Sequence, residues 1–472
     1  MNVFTGHRLA GLIADRTGQP ALGHDAEIVG RVLPFRITSH VADELVDWSR
    51  APDDPVYRLV MPHRDMLAPA DFAAVEQTLR DGDRDRLRLV VDGLRERFDP
   101  HPGGRDDGDL RHTYPETLLV LPFQGRTCGA PCASCFRRPR STGDPARPRP
   151  LGGPEAMAAH LAHHPEITEV LLGGDPFTVR TPLLDAYLAP LLDRPHVTTV
   201  RIRTESVSFR PQRFLDAPDA DDLLRLLERV VASGRRLLLT LPISHPRELR
   251  PEATRRAVSR LIATGAVLRT EAPVVRHVND DAGVWARMWR DQIALGLVPH
   301  ALLAGYEEGP RRRSPGLSLA RTLDVCTAAV RQVSGAGAGA GARDGVGEGL
   351  RDGLGVGVGT RVGLGGGAGV GVGSGIGVGG VESGLRVSAP VLRGPVMTTG
   401  LGELAVEGIA HLDDGPAFTL RALRTCDPAL TGTVAYARFD PMATRWDELT
   451  PYGPRDRALI PGESLTPDDL VG

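Results

Sequence analysis

The sequence contains no lysine: all 56 basic residues among its 472 are arginine. No side chain can therefore serve as a primary-amine nucleophile, because a guanidinium stays protonated at any working pH. Excess charge is lacking too. The 56 basic residues stand against 59 acidic ones, net −3, and nothing calls for a nucleic-acid partner. No run of ~18 apolar residues occurs, so no spanning helix and no membrane partner are expected. The opening Met1-Asn-Val-Phe-Thr-Gly-His-Arg8 lacks the apolar core of a secretion signal. The expectation is a soluble, cytoplasmic protein whose thiols stay reduced. Cysteine is scarce at five, yet three of the five fall within eight residues.

Those three are Cys128, Cys132 and Cys135, spaced C-x3-C-x2-C just after the apolar run 117–122. Thiolates so placed on a loop leaving a strand can hold three irons of a [4Fe-4S] cluster, which usually takes four cysteines. One iron then stays open to an outside ligand. The spacing resembles that of the radical S-adenosylmethionine (SAM) enzymes, which implies that SAM occupies this iron through its amino and carboxylate groups. The alternative is structural zinc, which wants four N or S ligands. His160 and Cys326 are the next histidine and cysteine, so a fourth ligand would return from a distance. An odd number of clustered cysteines without a secretion signal argues against a disulfide.

Residues 1–110 read as a mostly helical, polar lead-in, with apolar residues at helical spacing over 41–48 and 69–79. Packing or oligomer formation is its expected role. From 111 to 334, apolar runs at 117–122, 167–172, 198–202, 236–241, 267–275 and 298–303 alternate with helical patterns. These patterns lie near 154–163, 182–192, 220–233, 251–264, 281–295 and 317–333. The alternation predicts an α/β fold, a parallel sheet with its helices outside. Six units suit a partial barrel or a doubly wound sheet, and both place their sites at the strands' C-terminal ends. The cysteine loop ends the first run, and Gly173, Gly174 and Asp175 end the second. Two glycines let a ligand approach the backbone, leaving carbonyls and Asp175 as acceptors for a cationic amine. A plain strand-to-helix turn is the other reading.

Residues 335–384 are Gly-Ala and Gly-Val repeats, a flexible insertion by composition. The G-x-G-x-x-G match at 375–380 has neither strand before it nor helix after it, and is a chance match. Residues 385–472 read as a small C-terminal α/β extension, with short strands at 403–407 and 417–420 and a loose tail.

Five separated motifs narrow the resemblance: His112-Thr-Tyr-Pro115, Gly173-Gly-Asp-Pro176, the segment 201–213, Ser244-His-Pro-Arg-Glu248 and Arg276-His-Val-Asn-Asp280. In this order they resemble the lysine 2,3-aminomutase family of radical SAM enzymes, over about residues 50–334 and again at Pro395-Val-Met397. The resemblance implies a partial parallel (β/α)6 barrel enclosing the cluster, SAM and a small-molecule substrate. It also implies an electron donor such as flavodoxin or ferredoxin, and leaves a homo-oligomer open. The family's best-known members bind pyridoxal phosphate (PLP) through a lysine shortly before Pro-Val-Met. Arg393 stands at the matching position, Ser388 where the family has an acid, and Glu205 where it has an arginine. All three departures fall on cofactor or substrate handling.

Arg393 and Glu205 are the candidate catalytic residues, and Arg393 is read either as an anion clamp or as a surface arginine. His245 and Asn279 read as satisfied core or loop residues, and Cys326 and Cys426 as structural thiols. The function expected is cleavage of SAM and hydrogen abstraction from a small molecule. A PLP-dependent 2,3-aminomutase holding its cofactor noncovalently and a non-catalytic, zinc-stabilised binding protein are the alternatives.

Overall fold

The six apolar runs become strands at close to the expected bounds. The protein is described by a computed structural model over residues 2–33, 35–97, 110–121, 153–305, 317–334, 393–399 and 402–460. The chain opens with β1 (Val3–Thr5), α1 (Gly6–Thr17), α2 (Pro20–Val32), β2 (Arg36–Thr38), α3 (Pro55–Val60), α4 (Pro69–Asp81) and α5 (Arg84–Arg97). Next come β3 (Leu110–Tyr114), β4 (Thr117–Val120), α6 (Pro154–His163), β5 (Glu169–Leu172), α7 (Thr181–Leu192) and β6 (Thr199–Arg203). A short α8 (Ser206–Phe209) precedes α9 (Ala220–Ala232), β7 (Arg236–Leu241), α10 (Glu252–Ala263) and β8 (Val267–Pro273). The last are α11 (Ala282–Ala294), β9 (Val298–Ala304), α12 (Leu319–Ser334), β10 (Arg393–Thr399), β11 (Gly402–Leu412), β12 (Gly415–Thr425) and β13 (Val434–Arg438).

One 11-stranded sheet runs from β3 to β13, each strand beside its predecessor in sequence. Strands β4 to β10 pair in parallel. An antiparallel β3 flanks one edge and antiparallel β11–β13 flank the other. A doubly wound sheet reverses its strand order at a switch point, and this order does not reverse. Among the described residues no backbone pairing joins the two edges, so the sheet is open.

Alternation within the strands assigns the two faces. In β6, Val200 and Ile202 are buried while Arg201 and Arg203 are half-buried on the opposite side. Val200, Ile202, Leu239 and Leu268 join Trp285 and Trp289 in the main core, between sheet and helices. The other face carries Glu169, Arg201, Arg203, Thr240, Arg269 and Glu271. Arg424, near the end of β12, reaches Glu116, Thr117 and Glu169 at the far end of the pairing order. Only a curled sheet can bring those strands together, and the charged face is the concave one.

Three elements differ from expectation. The lead-in is not simply polar and helical: β1 and β2 form a small antiparallel sheet, and Ile28, Val29, Tyr57 and Phe72 are fully buried. The expected helix over 41–48 splits into a π-helical turn at Val41–Leu45 and a 3-10 turn at Trp48–Arg50. Asp47 between them spends its side chain on the Ser49 N–H, which competes with a continuing helix. At the other end, the described C-terminal residues form strands and short 3-10 turns rather than an α/β extension. A two-residue Asp413-Asp414 turn makes β11 and β12 one long hairpin that continues the main sheet.

Candidate active site

The cysteine loop carrying Cys128, Cys132 and Cys135 lies outside the described residues. Its flanks are placed: Leu121 follows β4, and Gly153 precedes α6. The Gly173 N–H donates to the Val120 carbonyl at 2.9 Å. The Gly-Gly turn after β5 therefore sits beside the root of the cysteine loop. Gly174 and Asp175 are both left-handed, with φ of 80° and 55°. Glycine meets that conformation without a Cβ clash, and aspartate is among the few other residues that tolerate it.

Asp175 is buried, and its carboxyl is directed into the protein. It accepts hydrogen bonds from the Thr204 hydroxyl at 2.5 Å and the Ser206 hydroxyl at 2.8 Å. Its pKa is raised by burial, against the opposing pull of the two hydroxyls. The acid thus ties the turn after β5 to the turn after β6, leaving the glycine backbone as the part that can face a ligand. Glu205, half-buried, occupies the N-cap position of α8 within that second turn. Arg393 opens β10 opposite Ala301 of β9, and its side chain lies outside the described residues.

The motifs after β7 and β8 mainly hold each other. The fully buried Glu248 accepts from the Ser244 and His245 N–H groups, both at 2.9 Å. Burial pushes its pKa up to about 7, with Glu205 adding to the rise. His245 Nδ1 accepts from the Arg247 N–H at 3.2 Å, and burial with nearby arginines brings its pKa down to about 4. Asn279 spans both loops, donating to the Ser244 and Pro273 carbonyls and accepting from the Val275 N–H. Arg213, at the end of the segment 201–213, is spent on the Phe177 and Val179 carbonyls and on Asp219. Cys326 is buried, its thiol pushed up to about 12 by burial, whereas Cys426 is exposed.

A charged ladder lines the concave face, and no sequence motif announces it. Arg201 pairs with Glu169, and Arg203 with Glu271 across the intervening β7. Arg424 pairs with Glu116 and lies 4.1 Å from the Tyr114 ring centroid. The signal was present in Thr199-Val-Arg-Ile-Arg203 and Val267-Leu-Arg-Thr-Glu271, where charges fall on every second residue. A parallel strand normally buries both faces, so regular charges mark a wet cavity.

Comparison with known proteins finds relatives among the aminomutases. An Aquifex aeolicus (strain VF5) protein, provisionally named L-lysine 2,3-aminomutase, is 30% identical over 318 residues, 66% of this chain and 75% of its own length. The chain belongs to the lysine 2,3-aminomutase family. Escherichia coli (strain K12) L-lysine 2,3-aminomutase is 28% identical over 254 residues, 53% of this chain and 64% of its own length. The glutamate 2,3-aminomutase of Clostridioides difficile (strain 630) is 24% identical over 194 residues, 41% of this chain and 43% of its own length. The chain thus spans less than two thirds of these last two aminomutases. No family model matches it. Among the described residues of this aminomutase-family chain, no helix is long and apolar enough to cross a membrane. No group of three or more His, Cys, Asp or Glu there could hold a metal ion.

Proposed function

We propose that the chain is a cytoplasmic radical SAM enzyme in which Cys128, Cys132 and Cys135 hold a [4Fe-4S] cluster beyond β4. Gly173 and Gly174 lie toward SAM, and the curled parallel sheet is a partial (β/α)6 barrel. The observation that supports this best is the Gly173 N–H to Val120 carbonyl bond, which sets the ligand-accessible turn against the root of the cysteine loop. The residues suit the cofactors: three thiolates leave one iron open, and backbone carbonyls can accept from a cationic amine. Cluster and SAM, once bound, supply a 5′-deoxyadenosyl radical for hydrogen abstraction, with electrons from a flavodoxin- or ferredoxin-type donor.

The chain's own residues do the positioning. Asp175 locks the glycine turn to Thr204 and Ser206. The concave face receives the small-molecule substrate. The names of the relatives favour a second reading, a PLP-dependent amino-acid 2,3-aminomutase. With no lysine, the residues do not fit a covalently held PLP, and that reading requires a noncovalent one.

Anaerobic purification tests the proposal. The protein should be brown with about four irons and, once reduced, should form 5′-deoxyadenosine from SAM. Changing Cys128, Cys132 or Cys135 to Ala should remove most of the iron and the SAM cleavage, and borohydride should fix no pyridoxyl group. A colourless protein holding zinc, or full cleavage by the triple variant, would sink the radical reading. Stoichiometric PLP with interconversion of α- and β-amino acids would restore the aminomutase.

A further inference from the structure

Arg203, Thr240 and Arg269 stand side by side across β6, β7 and β8, as successive partners in the sheet register. Paired residues share a face, so two guanidinium groups flank one hydroxyl on the concave side. Arg203 is neutralised by Glu271, as Arg201 is by Glu169 and Arg424 by Glu116. Arg269 has no ion pair among the described residues. Its one hydrogen bond there runs from Nε to the Thr240 hydroxyl at 3.3 Å, and neither terminal nitrogen has a hydrogen-bond partner among the described residues. Burial first, and Arg201 second, lower the pKa of this half-buried group, against the pull of the Glu271, Glu169 and Glu403 carboxylates. It remains a cation.

Thr240 adds an independent sign. It is only 2% exposed, and its oxygen accepts from Arg269. Its own O–H therefore remains to donate, and no acceptor for it is found among the described residues. An unspent buried donor is costly unless an acceptor covers it. The next strands continue the surface in a different chemistry. Glu271 pairs with Ala301, and Ala301, Leu303, Val396 and Leu423 form a small apolar cluster on the same face. Thr240 and Arg203 lie at the C-terminal ends of their strands, as the Gly173 turn does after β5.

We propose that Arg269 and Thr240 bind an oxyanion group of the substrate, a carboxylate or a phosphate, while its apolar part lies against Ala301, Leu303, Val396 and Leu423. This deepens the proposed function, since it places the substrate in the same cavity. A planar guanidinium with two free terminal nitrogens matches either oxyanion in fork geometry, and the hydroxyl adds a third donor.

The test uses the full chain, purified anaerobically with its iron, and succinate and inorganic phosphate as probes in calorimetric titration. At least one anion should bind saturably. Arg269→Gln should weaken that binding at least about tenfold, the scale of one lost charge-assisted contact. Thr240→Val should weaken it less, and Arg269→Lys should recover part of it. Succinate bound more tightly than phosphate assigns a carboxylate, and the reverse assigns a phosphate. Iron content and SAM affinity of the Arg269→Gln protein control for folding and for the carboxylate of SAM itself. Failure of wild-type protein to bind either anion, unchanged binding in Arg269→Gln, or a matching fall in SAM affinity would overturn the assignment. Anaerobically purified protein that binds the anion through Arg269 but holds zinc in place of iron would sink the radical reading alone.

Discussion

At the scale of single residues, burial decides what the polar groups of the site can do. The cysteine triplet and the Gly-Gly-Asp turn were legible in the sequence as spacing. Which way Asp175 points was not, because Thr204 and Ser206 are 29 and 31 residues away and meet it only through the sheet register. Glu248 is the clearest case with a measurable consequence. Its pKa rises from 4.5 unfolded to about 7 folded. Between those values the folded protein holds a proton that the unfolded chain has released, so stability from this group falls as pH rises. The full effect is about 3 kcal/mol, present below pH 4.5 and gone above 7. His40 and His245, both lowered to about 4 by burial, act oppositely and cost stability as pH falls below 6.5. Glu248→Gln keeps an acceptor for the Ser244 and His245 N–H groups but cannot ionise. Urea melts across pH 4.5–7.5 should show the variant gaining about 3 kcal/mol relative to wild type over that range. A pH-independent difference would mean that Glu248 is not protonated in the fold.

At the scale of elements, hydrophobic period did most of the work. Each of the six runs from 117 to 303 contains a strand, and each helical pattern between them contains a helix, because short β-rich runs and amphipathic helices differ in period. What failed was local information at the sheet's margins. Strand β10 follows a Gly-rich segment and starts Arg393-Gly-Pro395, residues that argue against a strand until β9 offers a parallel edge. Charge on the strands is likewise uninformative by itself, since nothing local says that the sheet curls. Arg424 holds that curl by bridging β12 to the β3–β4 turn and to β5. Arg424→Gln should cost about 2 kcal/mol, the order of a hydrogen bond to a charged group. The loss should appear in hydrogen exchange as faster exchange of the β3 and β4 amides, with β6 to β8 little changed. Equal protection along β3 and β4 would show that the curl is set by strand twist alone.

At the scale of the whole molecule, the lead-in is part of the structure that carries the site. Phe209, Val275 and Val278, from the turns after β6 and β8, are buried in the core formed by residues of α1 to α5. The Thr38 hydroxyl donates to the Phe209 carbonyl at 2.6 Å. The fully buried Asp54 caps α3 through the Val56 and Tyr57 N–H groups and takes the guanidinium of Arg247. Arg247 belongs to the Ser244–Glu248 motif, so that motif anchors the lead-in as well as its own loop. None of this was visible in sequence, because the partners are 193 residues apart and each reads alone as a surface charge. Removing one partner of a buried pair strands the other, at about 3–5 kcal/mol, whereas removing both together costs far less than the sum. Asp54→Asn and Arg247→Met should therefore each lower stability sharply, with the double variant close to the worse single one. A shared core also requires lead-in and sheet to unfold together, so calorimetry should show one cooperative transition in wild-type protein. Two resolved transitions, or additive losses in the double variant, would show instead that residues 1–97 are a separable domain resting on the sheet.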